Sequence, residues 1–304
     1  MKVFLLGATG YIGSVVAERL QEKGHDVLGL ARSPEAAAKL RAQGITPHRS
    51  DLRDPASLAE GARQADATVN LAQPTFDLQG DFAEQMVALG QTVKAAVEAI
   101  LEATRGTSKP LLLTGGTGAY GDTGAQVATE DTPVAPLPFM QSLAEAEHSV
   151  LGGKGVRGLV LRPGIVYGRG GGPVAFAVEA ARRAGGVRVV GEGRNELSFV
   201  HIEDLADLYL LMLEGGGAGT LLNGVTEPFV TQLELMRAVS RAAGYGGEVR
   251  VTPTEGAGAQ LQNIFSRTMR VSGARARKLG WTPTRPSVLT VLQQDDASHT
   301  PRVA

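Results

Sequence analysis

Short, wholly apolar runs alternate along the first half of the chain with longer stretches whose apolar residues recur every three or four positions. Val3-Phe4-Leu5-Leu6 is a continuous apolar run, the pattern of a strand buried on both faces. After it, Ile12, Val15, Val16 and Leu20 share one helical face, and Gly24 closes the helix. The unit then recurs: strand 26–30 with helix 34–41, strand 45–49 with helix 54–64, and strand 67–71 with a long helix over 81–104. Strand 111–113, a helix over 141–151 and strand 158–161 complete the series. Strands alternating with helices at this spacing predict an α/β fold with a doubly wound parallel sheet and right-handed crossovers.

Past Arg162-Pro163 the rhythm changes. Glycine-rich turns at 168–172 and 215–217 separate shorter elements, among them a helix near 203–213. The pattern predicts a dinucleotide-binding domain over residues 1–165 and a smaller substrate lobe over 166–295, interleaved with the carboxyl edge of the sheet. A polar, aperiodic stretch from about Asp295 predicts a frayed end, with 296–304 as a flexible tail. The stretch 251–264, rich in Gly, Ala and Thr, reads as a lid. In the long helix, Phe82, Met86, Leu89, Val93, Ala96 and Ile100 form a stripe. It suits core packing against the sheet, or a homodimer interface shared with helix 141–151.

Composition narrows the partners more than the fold. The 304 residues hold 30 basic and 31 acidic side chains, a formal net charge of -1, which gives no electrostatic reason to expect nucleic acid or an anionic membrane as partner. No run approaches the roughly 20 apolar residues of a membrane span. Met1 to Leu6 leads straight into a glycine motif, so no cleavable leader is expected and the cytoplasm is the expected location. The chain has no cysteine, which removes disulfides, thiolate metal sites and thiol nucleophiles. No carboxylate–histidine spacing suggests a metal site.

The chemistry-bearing motif is Gly7-Ala8-Thr9-Gly10-Tyr11-Ile12-Gly13. It follows a buried strand and opens an amphipathic helix, the context that makes G-x-x-G-x-x-G a Rossmann-type dinucleotide loop. Gly7 permits the turn, Gly10 lets the backbone approach a pyrophosphate, and Gly13 lets helix and strand pack closely. The helix N-terminus faces the phosphates. The second strand ends in Leu30-Ala31-Arg32-Ser33, where an NAD-selective site usually has a carboxylate. Arg32 and Ser33 suit a 2′-phosphate instead, so NADP(H), bound as NADPH, is expected in preference to NAD. Asp51 and Leu52 are expected near the adenine, and Asp54 as the cap of the next helix.

By these motifs the chain resembles the extended and atypical short-chain dehydrogenase/reductases, the group of the NAD-dependent epimerases and dehydratases. The resemblance covers about residues 1–215. It rests on the glycine loop, 51–54 (Asp-Leu-Arg-Asp), 70–72 (Asn-Leu-Ala), 119–121 (Ala-Tyr-Gly), 161–168 (Leu-Arg-Pro-Gly-Ile-Val-Tyr-Gly) and 199–206 (Phe-Val-His-Ile-Glu-Asp-Leu-Ala). It implies a cofactor site that also takes in Thr9, Tyr11, Ile12, Leu71, Ala72 and Pro163. A small-molecule substrate would meet Gln73, Arg169, Arg194 and His201. The family transfers hydride with a Tyr-x-x-x-Lys pair and a serine or threonine; the lysine lowers the tyrosine's pKa from about 10.

Here the alignment puts Phe139 at the tyrosine, Leu143 at the lysine and Gly116 at the serine. Three readings follow. A reductase of a small organic substrate would take its proton from another group, with Thr117, Tyr120 and Tyr167 as candidates and His201 beside them, or from water. A redox-inactive protein would bind NADP(H) as a sensor or scaffold. A non-redox lyase or isomerase would use the same pocket. Tyr120, Tyr167 and His201 also have structural readings, as pocket walls and a hydrogen-bonded histidine. A nucleotide-sugar substrate is not favoured, because the residues that process one are absent.

Overall fold

The first strand shows why the sheet lies in the middle of the molecule. In β1 (Lys2–Leu6) alternate side chains enter opposite cores, Val3 and Leu5 on one face and Phe4 and Leu6 on the other, and all four are fully buried. In a computed structural model, residues 1–72, 81–252 and 266–299 are described. β2 (Asp26–Ala31), β3 (Thr46–Arg49), β4 (Ala67–Asn70), β5 (Pro110–Thr114), β6 (Arg157–Pro163) and β10 (Thr220–Gly224) join β1 in a seven-stranded sheet. The order is β10-β6-β5-β4-β1-β2-β3 and every pairing is parallel.

Helices cover both faces. On one, α1 (Tyr11–Glu22) and α7 (Ile202–Gly215) pack together, with α2 (Pro34–Ala42) beside them. Their core joins Val15, Val16, Leu20, Leu40, Leu205, Tyr209 and Met212. On the other lie α3 (Pro55–Gln64), α4 (Phe82–Ala103) and α5 (Gln141–Leu151). The stripe Met86, Leu89, Val93, Ala96, Ile100 is buried within the one chain against this face, so the residues that suggested an interface are core residues of the subunit. Gly90 lets α5 approach α4: a Cβ there would come within 2.9 Å of the Ser142 Cβ.

The second lobe holds a three-stranded sheet, β11-β9-β7, made of β7 (Ile165–Tyr167), β9 (Glu196–His201) and β11 (Thr226–Thr231). The pair β8 (Arg188–Val190) and β12 (Arg250–Thr252) lies apart from it. α6 (Gly172–Ala184), α8 (Gln232–Ala242) and α10 (Val288–His299), which follows the short α9 (Ala274–Lys278), build its core from Val174, Val178, Leu197, Phe199, Leu235, Val239, Val288 and Leu292. The chain does not divide cleanly at residue 165, since α7 and β10 return to the first domain's layers. Composition predicted a frayed end from Asp295, yet the backbone is helical to His299, because Val288 and Leu292 anchor α10 in the lobe's core. Apart from Val251 and Thr252 in β12, nearly all of the expected lid lies outside the described residues, as does the tail beyond His299.

A candidate dinucleotide site at the sheet's carboxyl edge

The strand order reverses between β1 and β4, and the crevice outside their carboxyl ends is where open α/β sheets take ligands. Gly7 has φ +93°, and a Cβ on it would come within 3.0 Å of the Leu71–Ala72 peptide, so the first turn closes against the end of β4. Asn70 supports that peptide, its Oδ1 accepting from the Ala72 amide at 3.1 Å. The Gly10 amide donates to the Gly7 carbonyl at 2.9 Å. A Cβ on Gly13 would collide with that same carbonyl. No side chain caps α1 at Gly10. The first-turn amides therefore face outward over a surface of bare backbone, the donor set a pyrophosphate requires.

Around this loop the expected cofactor residues lie on one edge. Arg32 is exposed at the end of β2. The Ser33 Oγ accepts from the Ala36 amide at 3.2 Å and caps α2, so its hydroxyl has a structural task as well. The Asp51 carboxylate accepts from the Arg53 side chain (2.8 Å) and amide (2.9 Å), which hold its pKa below the usual carboxylate range. Leu52 packs on the β-sheet core, and Asp54 caps α3 by accepting from the Ser57 amide at 3.1 Å. Pro163 pairs with Gly224 at the end of β6. One residue was missed: Lys39, on the exposed side of α2, brings its Nζ to 3.4 Å from the Thr9 carbonyl. Its helical position gave only a solvated face, and nothing in the sequence says that this face looks at the glycine loop.

The residues aligned with the family's catalytic positions also assemble. A 3₁₀ turn over Thr117–Tyr120 follows β5 and meets a second turn over Pro138–Met140; Gly118 would place a Cβ 3.5 Å from the Met140 Cε. A Cβ on Gly116 would have nothing within 4 Å, so space opens in front of it. Phe139 packs edge-on to Phe82 at a centroid distance of 5.7 Å, and Leu143 joins the core under α4. Thr117 is buried.

The two tyrosines are committed elsewhere. Tyr120 donates its hydroxyl to the Asn223 Oδ1 at 2.9 Å, and Tyr167 donates to the Pro286 carbonyl at 2.8 Å. Burial pushes both pKa values up, which keeps both hydroxyls protonated at neutral pH. Beneath Tyr120, the Arg162 guanidinium lies 4.8 Å from the ring centroid and pairs with Glu147 at 2.8 Å (Nε) and 2.5 Å (Nη2). Glu147 is almost wholly buried, and burial pushes its carboxyl pKa up against the pull of Arg162. A Cβ on Gly115 would collide with that carboxylate, so the glycine makes room for the pair.

The residues expected to meet substrate are dispersed. His201 caps α7, its Nδ1 accepting from the Glu203 amide at 3.2 Å, and its ring packs edge-on to Tyr167. Arg169, expected in a substrate loop, turns its guanidinium to Glu18 and Glu203. Arg194 is exposed and pairs with Glu192 at 2.8 Å. Gln73 lies outside the described residues. Among the described residues, no group of three or more His, Cys, Asp or Glu is placed to hold a metal, and no helix is long and apolar enough to cross a membrane.

Comparison with known proteins places this geometry. The profile of the NAD dependent epimerase/dehydratase family matches residues 3–223. An uncharacterized protein of Schizosaccharomyces pombe is 31% identical over 97% of this chain and 99% of its own length. The dTDP-6-deoxy-L-talose 4-dehydrogenase (NAD(P)(+)) of Kitasatospora kifunensis is 30% identical over 100% of this chain and 97% of its own. In fold, the chain is similar to UDP-glucose 4-epimerase of Thermotoga maritima, with a TM-score of 0.79, 21% identity and 98% of each chain covered. The chain belongs to the NAD dependent epimerase/dehydratase family.

Proposed function

We propose that this protein is an NADP(H)-dependent reductase of a small organic substrate that protonates its product without the family's tyrosine. The observation that carries the reading is the open space before Gly116, at the start of the Thr117–Tyr120 turn. The bare glycine loop would hold the pyrophosphate through its backbone amides. Arg32, with Lys39 near Thr9, supplies positive charge for a 2′-phosphate. When bound, the cofactor supplies a hydride. Phe139 and Leu143 keep water from the site, and the Thr117 hydroxyl, beside the position of the lost serine, orients a substrate carbonyl oxygen. The proton comes from water, since the Tyr120 and Tyr167 hydroxyls are spent on Asn223 and Pro286 and burial makes both weaker acids. Omitting a general acid slows such a step by about 10²–10⁴-fold without abolishing it. That the Kitasatospora relative is named a dehydrogenase agrees with redox chemistry in a chain of this length.

A second reading, an NADP(H) sensor or scaffold, draws on the engagement of both tyrosine hydroxyls. Single-turnover mixing of the NADPH-loaded protein with a panel of aldehydes and ketones separates the two. The reductase reading expects slow oxidation of the cofactor with some members, weakened in Thr117→Val. Tight NADPH binding with no oxidation by any of them would leave the sensor.

A further inference from the structure

The turn between β7 and α6 lies against the glycine loop. Tyr11 of that loop donates its hydroxyl to the Gly168 carbonyl at 2.7 Å, and burial raises its pKa, so it stays a donor across the neutral range. Its ring rests on bare backbone: a Cβ on Gly171 would come within 2.6 Å of it, and one on Gly172 within 2.5 Å. Gly168 has φ +111°, and a Cβ there would strike the His201 ring. Between these glycines stands Arg169 with φ +50°, a left-handed conformation that a side chain disfavours.

What holds Arg169 there is its guanidinium. Two nitrogens reach Glu18 of α1 at 2.6 and 2.9 Å, and a third pairs with Glu203 of α7. Glu203 also accepts from Arg19 at 2.8 Å. Exposed ion pairs taken singly contribute little, but a two-carboxylate fork fixes geometry that a single pair would not. Hydrogen bonds to Glu18 and Glu203 push the arginine's pKa further up, and the bond from Arg169 holds Glu18 down, so the Arg169–Glu18 pair stays charged at neutral pH.

We infer that Arg169 is a positioning residue for the dinucleotide. It pins the Gly168–Gly172 turn over Tyr11 and so fixes the first turn of α1, whose free amides form the pyrophosphate cradle. The inference rests on the reading of the glycine loop as the dinucleotide site. It also makes the turn a strap between the two lobes, because α6 and β9 of the second lobe adjoin the residues that clamp the loop. The strap acts on the pyrophosphate end, which NADPH and NADH share. Its loss weakens both cofactors by the same factor, whereas loss of Arg32 weakens NADPH alone.

The test measures dissociation constants for NADPH and NADH, with thermal midpoints alongside, in the wild type, Tyr11→Phe, Arg169→Gly and Arg169→Lys. Tyr11→Phe keeps the ring and removes one hydrogen bond; Arg169→Gly removes the guanidinium and its one charge but suits the left-handed backbone, so both variants are expected to fold. The expected result is a rise of about five- to tenfold in both constants for Tyr11→Phe and Arg169→Gly, the worth of one or two hydrogen bonds. Arg169→Lys recovers only part of the loss, because an ammonium cannot fork between two carboxylates. A lowered thermal midpoint with unchanged constants would overturn the inference and leave a structural tie. Selective loss of NADPH would also overturn it, by putting Arg169 at the 2′-phosphate. A wild-type protein that binds neither dinucleotide would overturn the cofactor reading itself, and the inference with it.

Discussion

Arg32 and Lys39 differ in how far the sequence could reveal them. Arg32 directly follows β2, where the family's fold puts the adenosine ribose, so its position alone suggested the role proposed for it. The contact that suggests one for Lys39 appears only when α2 packs beside β2 and turns that side chain toward Thr9. A charge-assisted hydrogen bond to phosphate contributes roughly 1.5–3 kcal/mol, the lower end at an exposed site, or about tenfold in affinity. Arg32→Ala is therefore expected to weaken NADPH by about tenfold while leaving NADH within about twofold. Titration of both cofactors by fluorescence checks it, and an unchanged NADPH:NADH ratio would remove Arg32 from the site. Lys39→Ala is expected to act in the same direction and more weakly, since its contact to Thr9 is long. Tyr120 and Tyr167 were legible as positions in motifs that resemble the family's but not as spent hydroxyls, because their acceptors, Asn223 and Pro286, lie about a hundred residues away in the chain.

At the scale of elements, the proposed chemistry turns on α5 and the turn before it. Its boundaries, Gln141–Leu151, agree with the sequence reading, because a regular apolar face and the following glycines mark both ends. Just before it, Phe139 occupies the turn whose neighbour Met140 contacts the Gly118 region, and Leu143 follows one turn on. If the helix has kept its place while only side chains changed, Phe139→Tyr with Leu143→Lys should restore a tyrosine whose pKa a neighbouring ammonium lowers. NADPH-dependent reduction of a simple ketone is then expected to rise by about 10²–10⁴-fold over the parent, the usual worth of a general acid. A double variant that folds, binds NADPH and gains nothing would show that α5 itself stands wrongly for the reaction. The second lobe's short strands were much less legible than α5. β8, β11 and β12 have three to six residues each and take their pairing from distant partners, so neither period nor turn chemistry marks them locally.

Across the whole molecule, the two lobes meet at His201, where β9 ends, α7 begins and the Gly168 turn lies over the ring. Its place before a helix was legible in the sequence, but not that the imidazole must be neutral to cap it. Its Nδ1 accepts the Glu203 amide, which a protonated ring cannot do. Burial lowers its pKa from the ordinary 6.5; nearby Asp204 and Glu203 pull it up, Arg285 and Arg169 push it down, and burial prevails. The folded pKa thus lies below the unfolded one, so the proton favours the unfolded chain. The stability this group contributes is complete above about pH 6.5 and is lost as the pH falls from there through the depressed folded value. His201→Asn offers a non-titrating helix cap of comparable quality. Thermal midpoints taken from roughly pH 7.5 down to pH 5 should therefore fall more steeply in the wild type than in His201→Asn, with the two curves parting below the ordinary histidine value. Parallel curves would mean that the junction does not sense protons through His201. Divergence, accompanied by weaker NADPH binding at the acid end, would show that the cap of α7 and the strap over Tyr11 yield together.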